Sequence, residues 1–166
     1  AGRHGFLAAW NDGAHGEVEG LLPADVKARG SLAGMMRFAL NKSYPAFSRC
    51  SRDGSPGNGD STSGDIVGYM NRGLDWTDPK DEAGRYETLV KWTLDAGDVP
   101  VTVDVTPRRV QAFRLKPGES CAAVNLDAGG KEVQIRTLTA DANGLVTFEG
   151  FRITSAAGNR LVLTRK

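Results

Sequence analysis

Apolar and polar residues alternate in short runs from residue 66 onward, and this alternation constrains the fold more than any other feature of the sequence. Along residues 85–94 it places one set of side chains on a common face: Tyr86, Thr88, Val90, Trp92 and Leu94. A period of two residues is that of a β-strand with one buried face. The same reasoning predicts further strands at residues 99–105, 121–126, 133–138, 145–148, 151–153 and 161–163.

Turn-forming residues separate these predicted strands. Gly, Pro, Asp and Asn are concentrated at residues 116–119, 127–130, 141–144 and 157–159. Short strands at intervals of roughly eight to twelve residues are typical of a β-sandwich. No helix-length periodic segment follows Tyr69, so the sequence predicts a mainly β fold with an immunoglobulin-like β-sandwich over residues 66–166. The disulfide-and-tryptophan pattern of immunoglobulin domains is absent, and the term therefore describes the architecture alone.

The first 65 residues follow a different pattern and are predicted to form a separate segment. An apolar run at residues 6–10 predicts a buried strand that ends in an Asn-Asp-Gly turn. Pro23 begins a helical stretch, whose buried face is predicted from spacings of three and four between Leu32, Met35, Met36, Ala39 and Leu40. The residue before Pro45 is disfavoured in the α region, which ends the helix. Residues 1–65 are thus predicted to be a strand, a histidine loop, a helix and a polar loop.

The polar loop at residues 52–65 contains oxygen-bearing side chains that could bind calcium, at Asp53, Asn58, Asp60 and Asp65. It lacks the spacing and terminal Glu of an EF-hand loop, and its composition favours a solvent-exposed loop rich in turn formers. Cys50 and Cys121 fit no zinc pattern and leave open either one disulfide or two buried thiols. The sequence therefore favours neither a metal site nor a cofactor, and a calcium-stabilised adhesion domain is left as a third interpretation.

Composition and charge exclude several functional classes. The net charge is +1, and 25% of the residues are charged, with both signs interleaved along the chain. This balance argues against disorder and against an electrostatic nucleic-acid binder. No apolar run approaches the roughly 20 residues that cross a bilayer, so no membrane span is expected. The chain begins without an initiator Met, and we expect it to be part of a longer protein.

His15 is the candidate catalytic residue. It lies in the loop of residues 13–16, flanked by Gly13 and Gly16, just beyond the strand predicted at residues 6–10. A histidine in such a loop can project into a cleft. In an α/β-hydrolase the catalytic residues occur in the chain order Ser, then Asp or Glu, then His. A C-terminal portion would retain the histidine alone. The other histidine, His4, is interpreted as structural. The alternative interpretation of His15 is a turn histidine on a glycine-rich surface loop, without any catalytic role.

No serine nucleophile accompanies His15 in this sequence. A Gly-x-Ser-x-Gly elbow requires a strand before it and a helix after it. The nearest approach, around Ser120, stands between a Pro-Gly turn and a predicted strand and is rejected. The serine-containing loop at residues 59–64 superficially resembles that of trypsin-like proteases, but no β-barrel precedes it. The sequence thus supplies neither the nucleophile nor the acid.

Four stretches resemble the C-terminal portion of large bacterial α/β-hydrolase-type, esterase-like proteins. They are residues 2–16 around His15, residues 41–47 with the Ser-Arg-Asp loop that follows, residues 104–118, and residues 139–147. The resemblance implies a secreted or periplasmic serine carboxylic-ester hydrolase in which His15 is the triad histidine and a β-sandwich follows as an accessory domain. It also implies partners: the preceding catalytic portion, and a carbohydrate ester or polysaccharide as substrate. The alternative interpretation is a non-catalytic β-sandwich module that binds carbohydrate or protein, with Tyr69, Trp76, Tyr86 and Trp92 as candidate aromatic platforms.

Overall fold

The computed structural model describes residues 40–52 and 73–166, which belong to one compact unit. The strand predicted at residues 6–10, the histidine loop and the helix predicted from Pro23 lie outside these residues, except for Leu40 at the helix end. The polar loop beyond Arg52 and the boundary predicted between residues 65 and 66 also lie outside them. These expectations therefore stay predictions.

Two antiparallel sheets make up the described residues. In chain order the strands are β1 (Tyr44–Ser48), β2 (Leu74–Trp76), β3 (Lys80–Glu82), β4 (Arg85–Trp92), β5 (Val101–Arg108), β6 (Ser120–Leu126), β7 (Glu132–Thr139), β8 (Phe148–Ile153) and β9 (Asn159–Arg165). One sheet has the order β1-β5-β8, and the other has the order β2-β4-β9-β6-β7 with β3 also paired to β4. A short 3-10 helix, Ala96–Asp98, connects β4 to β5. The prediction of a mainly β fold is confirmed, and the two sheets are consistent with a β-sandwich.

The alternation along β4 gives this strand one buried face, as the sequence predicts. Tyr86, Thr88, Val90 and Trp92 are all buried, whereas Leu94 lies beyond the strand and is exposed. Apolar side chains from both sheets form a single core cluster. Its fully buried members include Val101, Val103, Val105, Phe148, Phe151, Ile153, Leu161 and Leu163. Burial of apolar area on this scale is the main favourable contribution to folding.

Three strands were not predicted from the sequence. β1 pairs along its whole length with β5, from Tyr44 opposite Arg108 to Ser48 opposite Asp104. The sequence predicts Pro45 only as the residue that ends a helix, but proline is also tolerated on an edge strand, and β1 is an edge strand of its sheet. β2 and β3 have only three residues each, too few for an alternation to be visible. Of the two strands predicted at 145–148 and 151–153, residues 148–153 form the single strand β8, whereas residues 145–147 lie in no strand.

Two turns share the same hydrogen-bond pattern. One connects β6 to β7, and the other follows β7 on the way to β8. In each, an aspartate carboxylate accepts hydrogen bonds from the backbone N–H groups two and four residues later: Asp127 from Gly129 and Lys131, and Asp141 from Asn143 and Leu145. Gly130 and Gly144 occupy the third position after the aspartate with φ of 85° and 73°. Asp side chains of this kind hold turns by bonding to the nearby backbone.

Candidate functional site

The candidate catalytic residue lies outside the structure described here. His15 and His4 both precede residue 40, where the description begins. The catalytic role of His15 therefore stays a prediction.

Ser120 is the serine of the rejected nucleophile elbow, and its surroundings agree with that rejection. Gly118 turns the chain with φ of 80°, and Ser120 begins β6 directly afterwards. Its hydroxyl lies 3.1 Å from the hydroxyl of Thr139 on β7. The serine thus lies between a turn and a strand, not between a strand and a helix. It pairs with a threonine hydroxyl, which is not a general base.

The aromatic residues proposed as binding platforms differ in exposure. Tyr86 is completely buried and Trp92 is nearly so, so both belong to the core and neither can stack on a ligand. Their polar atoms, Tyr86 Oη and Trp92 Nε1, are buried without a hydrogen-bond partner in the described residues. Trp76 is half-buried, and its ring makes an edge contact with Phe47 at a centroid distance of 5.8 Å. Tyr69 lies outside the described residues.

A buried carboxylate, Asp104, is the centre of a charged cluster on the three-stranded sheet. Asp104 is 5% exposed and accepts hydrogen bonds from Arg49 Nε and, at 2.8 Å, from the backbone N–H of Gly150. Arg49 also forms an ion pair with Glu149 at 3.0 Å. Hydrogen bonds to both carboxylates raise the pKa of the Arg49 guanidinium, led by the bond to Asp104. The cluster links the end of β1 to β5 and β8, which makes its role structural.

A groove lies between β7 of one sheet and the start of β8 of the other. Its volume is about 480 Å³, and it is lined by Arg136, Thr137, Leu138, Thr139, Thr147 and Glu149. The threonine hydroxyls already have partners in Lys166, Ser120 and Thr106. The lining includes no histidine, cysteine or serine. The groove therefore has no nucleophile paired with a general base.

The two cysteines do not form a disulfide. Cys121 is completely buried on β6, and Cys50 is half-buried against the core. Burial, with a smaller contribution from the Glu119 carboxylate, raises the pKa of the Cys121 thiol to about 11. A thiol that holds its proton at neutral pH is a poor nucleophile, so Cys121 is a core residue.

Residues 40–52 and 73–166 contain neither a metal-binding cluster nor a membrane-spanning helix. No group of three or more His, Cys, Asp or Glu side chains is arranged there to hold a metal ion. The same residues include no helix of the length and apolar character that a membrane crossing requires.

The groove and the Asp104 cluster could not be found by sequence reasoning. Arg136 and Glu149 belong to different sheets, and Arg49 lies 55 residues before Asp104. No local motif marks either pairing. Comparisons of this chain with protein-family models, with curated proteins and with solved structures found no match.

Proposed function

We propose that this chain is the C-terminal part of an α/β-hydrolase-type serine esterase, to which it contributes the triad histidine, His15, and an accessory β-sandwich. The observation that carries the proposal is the glycine-flanked histidine after an apolar run, with no serine elbow anywhere in the chain. The chain order of hydrolase triads, in which histidine comes last, explains this combination. The immunoglobulin-like character of the sandwich is part of the same proposal.

The proposed reaction is acyl transfer. A serine from the preceding portion of the enzyme attacks the ester carbonyl, and His15 takes the serine proton as general base. The same imidazole, now protonated, returns the proton to the leaving alcohol as the C–O bond breaks. Water then hydrolyses the acyl-serine with His15 again acting as general base, which releases the carboxylic acid and restores the serine.

The direct test is hydrolysis of a small acyl ester, p-nitrophenyl acetate, by the enzyme that includes the preceding portion. His15→Gln is expected to lower kcat by about a thousandfold or more, the loss that removal of a triad member causes. His4→Gln is the matched control, since it changes the other histidine of the chain and is expected to leave kcat within about twofold. Both variants must keep the circular dichroism spectrum of the parent enzyme.

Full activity of a folded His15→Gln enzyme would contradict the proposal and favour the non-catalytic binding module instead. The sequence encoded upstream gives an independent test, because the proposal requires a Gly-x-Ser-x-Gly elbow between a strand and a helix. An upstream region without that elbow would also contradict the proposal.

A further inference from the structure

Side chains of the larger sheet take the place of a neighbouring strand along one edge of β8. In the described residues β8 pairs with β5 on one side and is the last strand of its sheet. On its other side the Arg152 N–H donates to Gln134 Oε1 at 2.9 Å, and the Gly150 carbonyl accepts from Gln134 Nε2 at 3.0 Å. The Arg152 carbonyl accepts from Asn125 Nδ2 at 2.8 Å. Backbone groups at this edge of β8 are thus paired with amide side chains of the other sheet.

Asn159 extends this arrangement, and hydrogen bonds connect the three amides to one another. Asn159 Oδ1 accepts from the Thr154 N–H, just beyond β8, at 2.7 Å. Asn159 Nδ2 donates to Asn125 Oδ1 at 2.9 Å, and Asn125 Nδ2 donates to Gln134 Oε1 at 2.7 Å. Asn159, Asn125 and Gln134 lie on β9, β6 and β7, which are neighbours in the larger sheet. These three residues therefore form an amide row across that sheet.

Burial makes the hydrogen bonds of the amide row necessary. Asn125 and Asn159 are completely buried, and Gln134 is half-buried. A buried amide or backbone group without a partner costs free energy comparable to that of a lost hydrogen bond or more. A network whose amides bond to one another and to the backbone favours one arrangement of the groups that it joins. The amide row therefore ties the edge of the smaller sheet to the larger sheet at a defined position.

β7 depends on the amide row more than its neighbours in the sheet do. It is the last strand of the larger sheet and pairs with β6 alone among the described strands. None of its residues is fully buried, and Leu138 packs only partly buried against the core. By contrast, β9 pairs with both β4 and β6 and contains completely buried residues. Gln134 supplies the hydrogen bonds that hold β7 to the smaller sheet.

We propose that the amide row is a latch between the two sheets, and that breaking it at Gln134 lets β7 open as a unit while the other strands stay folded. The opening separates Gln134 from the backbone of Gly150 and Arg152 and breaks the ladder between β7 and β6. Segments with few buried apolar contacts open locally at a lower free energy than the whole molecule. β7 has this character and β9 does not, so β9 opens only on global unfolding.

Hydrogen exchange of backbone N–H groups, followed residue by residue by NMR in the 166-residue chain, tests the proposal. Gln134→Met keeps a side chain of similar length but removes both polar atoms, so the Arg152 N–H and the Gly150 carbonyl lose their partners. The N–H groups of Arg136 and Leu138 are the ones to follow on β7, because the register directs them toward β6. Their exchange is expected to be about tenfold faster or more than in the parent.

Thr88→Ala is the matched control, since it removes a buried hydrogen bond on β4, from Thr88 Oγ1 to the Thr77 carbonyl at 2.8 Å, and leaves the latch intact. Both variants are expected to speed exchange of the Leu163 N–H on β9, which requires global unfolding. In Thr88→Ala the two β7 groups are expected to stay within about twofold of the parent. Equal acceleration of these groups in both variants, or none in Gln134→Met, would overturn the proposal. An unfolded Gln134→Met chain would overturn it as well, because the opening would then not be confined to β7.

Discussion

Gly158 illustrates how a single residue is fixed by backbone conformation and close packing together. Its φ is 86°, in the left-handed region that side chains disfavour. A Cβ atom built at this position would lie 2.5 Å from the Val90 carbonyl oxygen. The turn between β8 and β9 therefore approaches β4 so closely that only glycine fits. The sequence predicts a turn at residues 157–159, but the contact with Val90 depends on strand order.

Gly158→Ala is expected to lower the free energy of unfolding by about 2 kcal/mol or more, because it combines backbone strain with a clash against a backbone atom. Urea denaturation measures the change. Gly84→Ala is the matched control: it has no positive φ, and its added Cβ meets nothing within 4 Å. The control is expected to change stability by no more than about 1 kcal/mol, in the stabilising direction if at all. Equal losses in both variants would contradict this account.

The connection between β5 and β6 shows how a segment without regular structure is held by one side chain. The Asp81 carboxylate on β3 accepts hydrogen bonds from three consecutive backbone N–H groups, those of Gln111, Ala112 and Phe113, at 2.6 to 3.1 Å. The ring of Phe113 is thereby held in the core, where it is 3% exposed. The sequence shows the apolar residues of this connection. It does not show the anchor, which lies about 30 positions earlier in a strand too short to predict.

Asp81→Ala is expected to loosen this connection, because it leaves the three N–H groups without their acceptor. Trypsin cleavage after Arg109 or Arg114 reports the loosening, and we expect it to be about tenfold faster than in the parent, as a local opening that costs about 1.4 kcal/mol less would produce. Asp78→Ala serves as the control, since that side chain is 67% exposed and its ion pair with Lys42 spans 3.9 Å. Cleavage at the same rate in all three proteins would disprove the role of Asp81.

In the described residues, the alternation of apolar and polar residues predicts where most strands lie. It does not predict the contacts between strands that are far apart in the sequence. Alternation identifies β4, β5, β6 and β9, each of which has buried residues, and also β7, none of whose residues is fully buried. It cannot identify a buried polar network that links the sheets: Asn159 donates to Asn125 at 2.9 Å, and Asn125 donates to the Arg152 carbonyl on β8 at 2.8 Å. The sequence predicts Asn125 as a residue of the strand at 121–126 and Asn159 as part of a turn at 157–159, and it does not predict that the two side chains meet. The candidate site is less predictable still, because His15 is recognised by resemblance and by triad order, neither of which fixes a geometry.

The burial of two weakly acidic side chains predicts that the protein loses stability at alkaline pH. Burial is the main cause that raises the pKa of the Tyr86 phenol, with a contribution from Asp81, and it raises that of the Cys121 thiol to about 11. In the unfolded chain a thiol ionises near pH 8.5 and a phenol near pH 10. Above these values the unfolded state loses protons that the folded state retains. The free energy of unfolding must therefore fall as the pH rises.

The contribution of Cys121 can be isolated with Cys121→Ala. Between about pH 9 and pH 11 the thiol is expected to lower stability by about 1.4 kcal/mol per pH unit, the free energy of one pKa unit. Urea denaturation across this range should give a steeper decline for the parent than for Cys121→Ala, even though the variant starts from a lower stability because it loses the buried sulfur. Cys50→Ala changes the half-buried cysteine and should keep the steep decline. Parallel curves for parent and Cys121→Ala would show that burial does not hold the proton on this thiol.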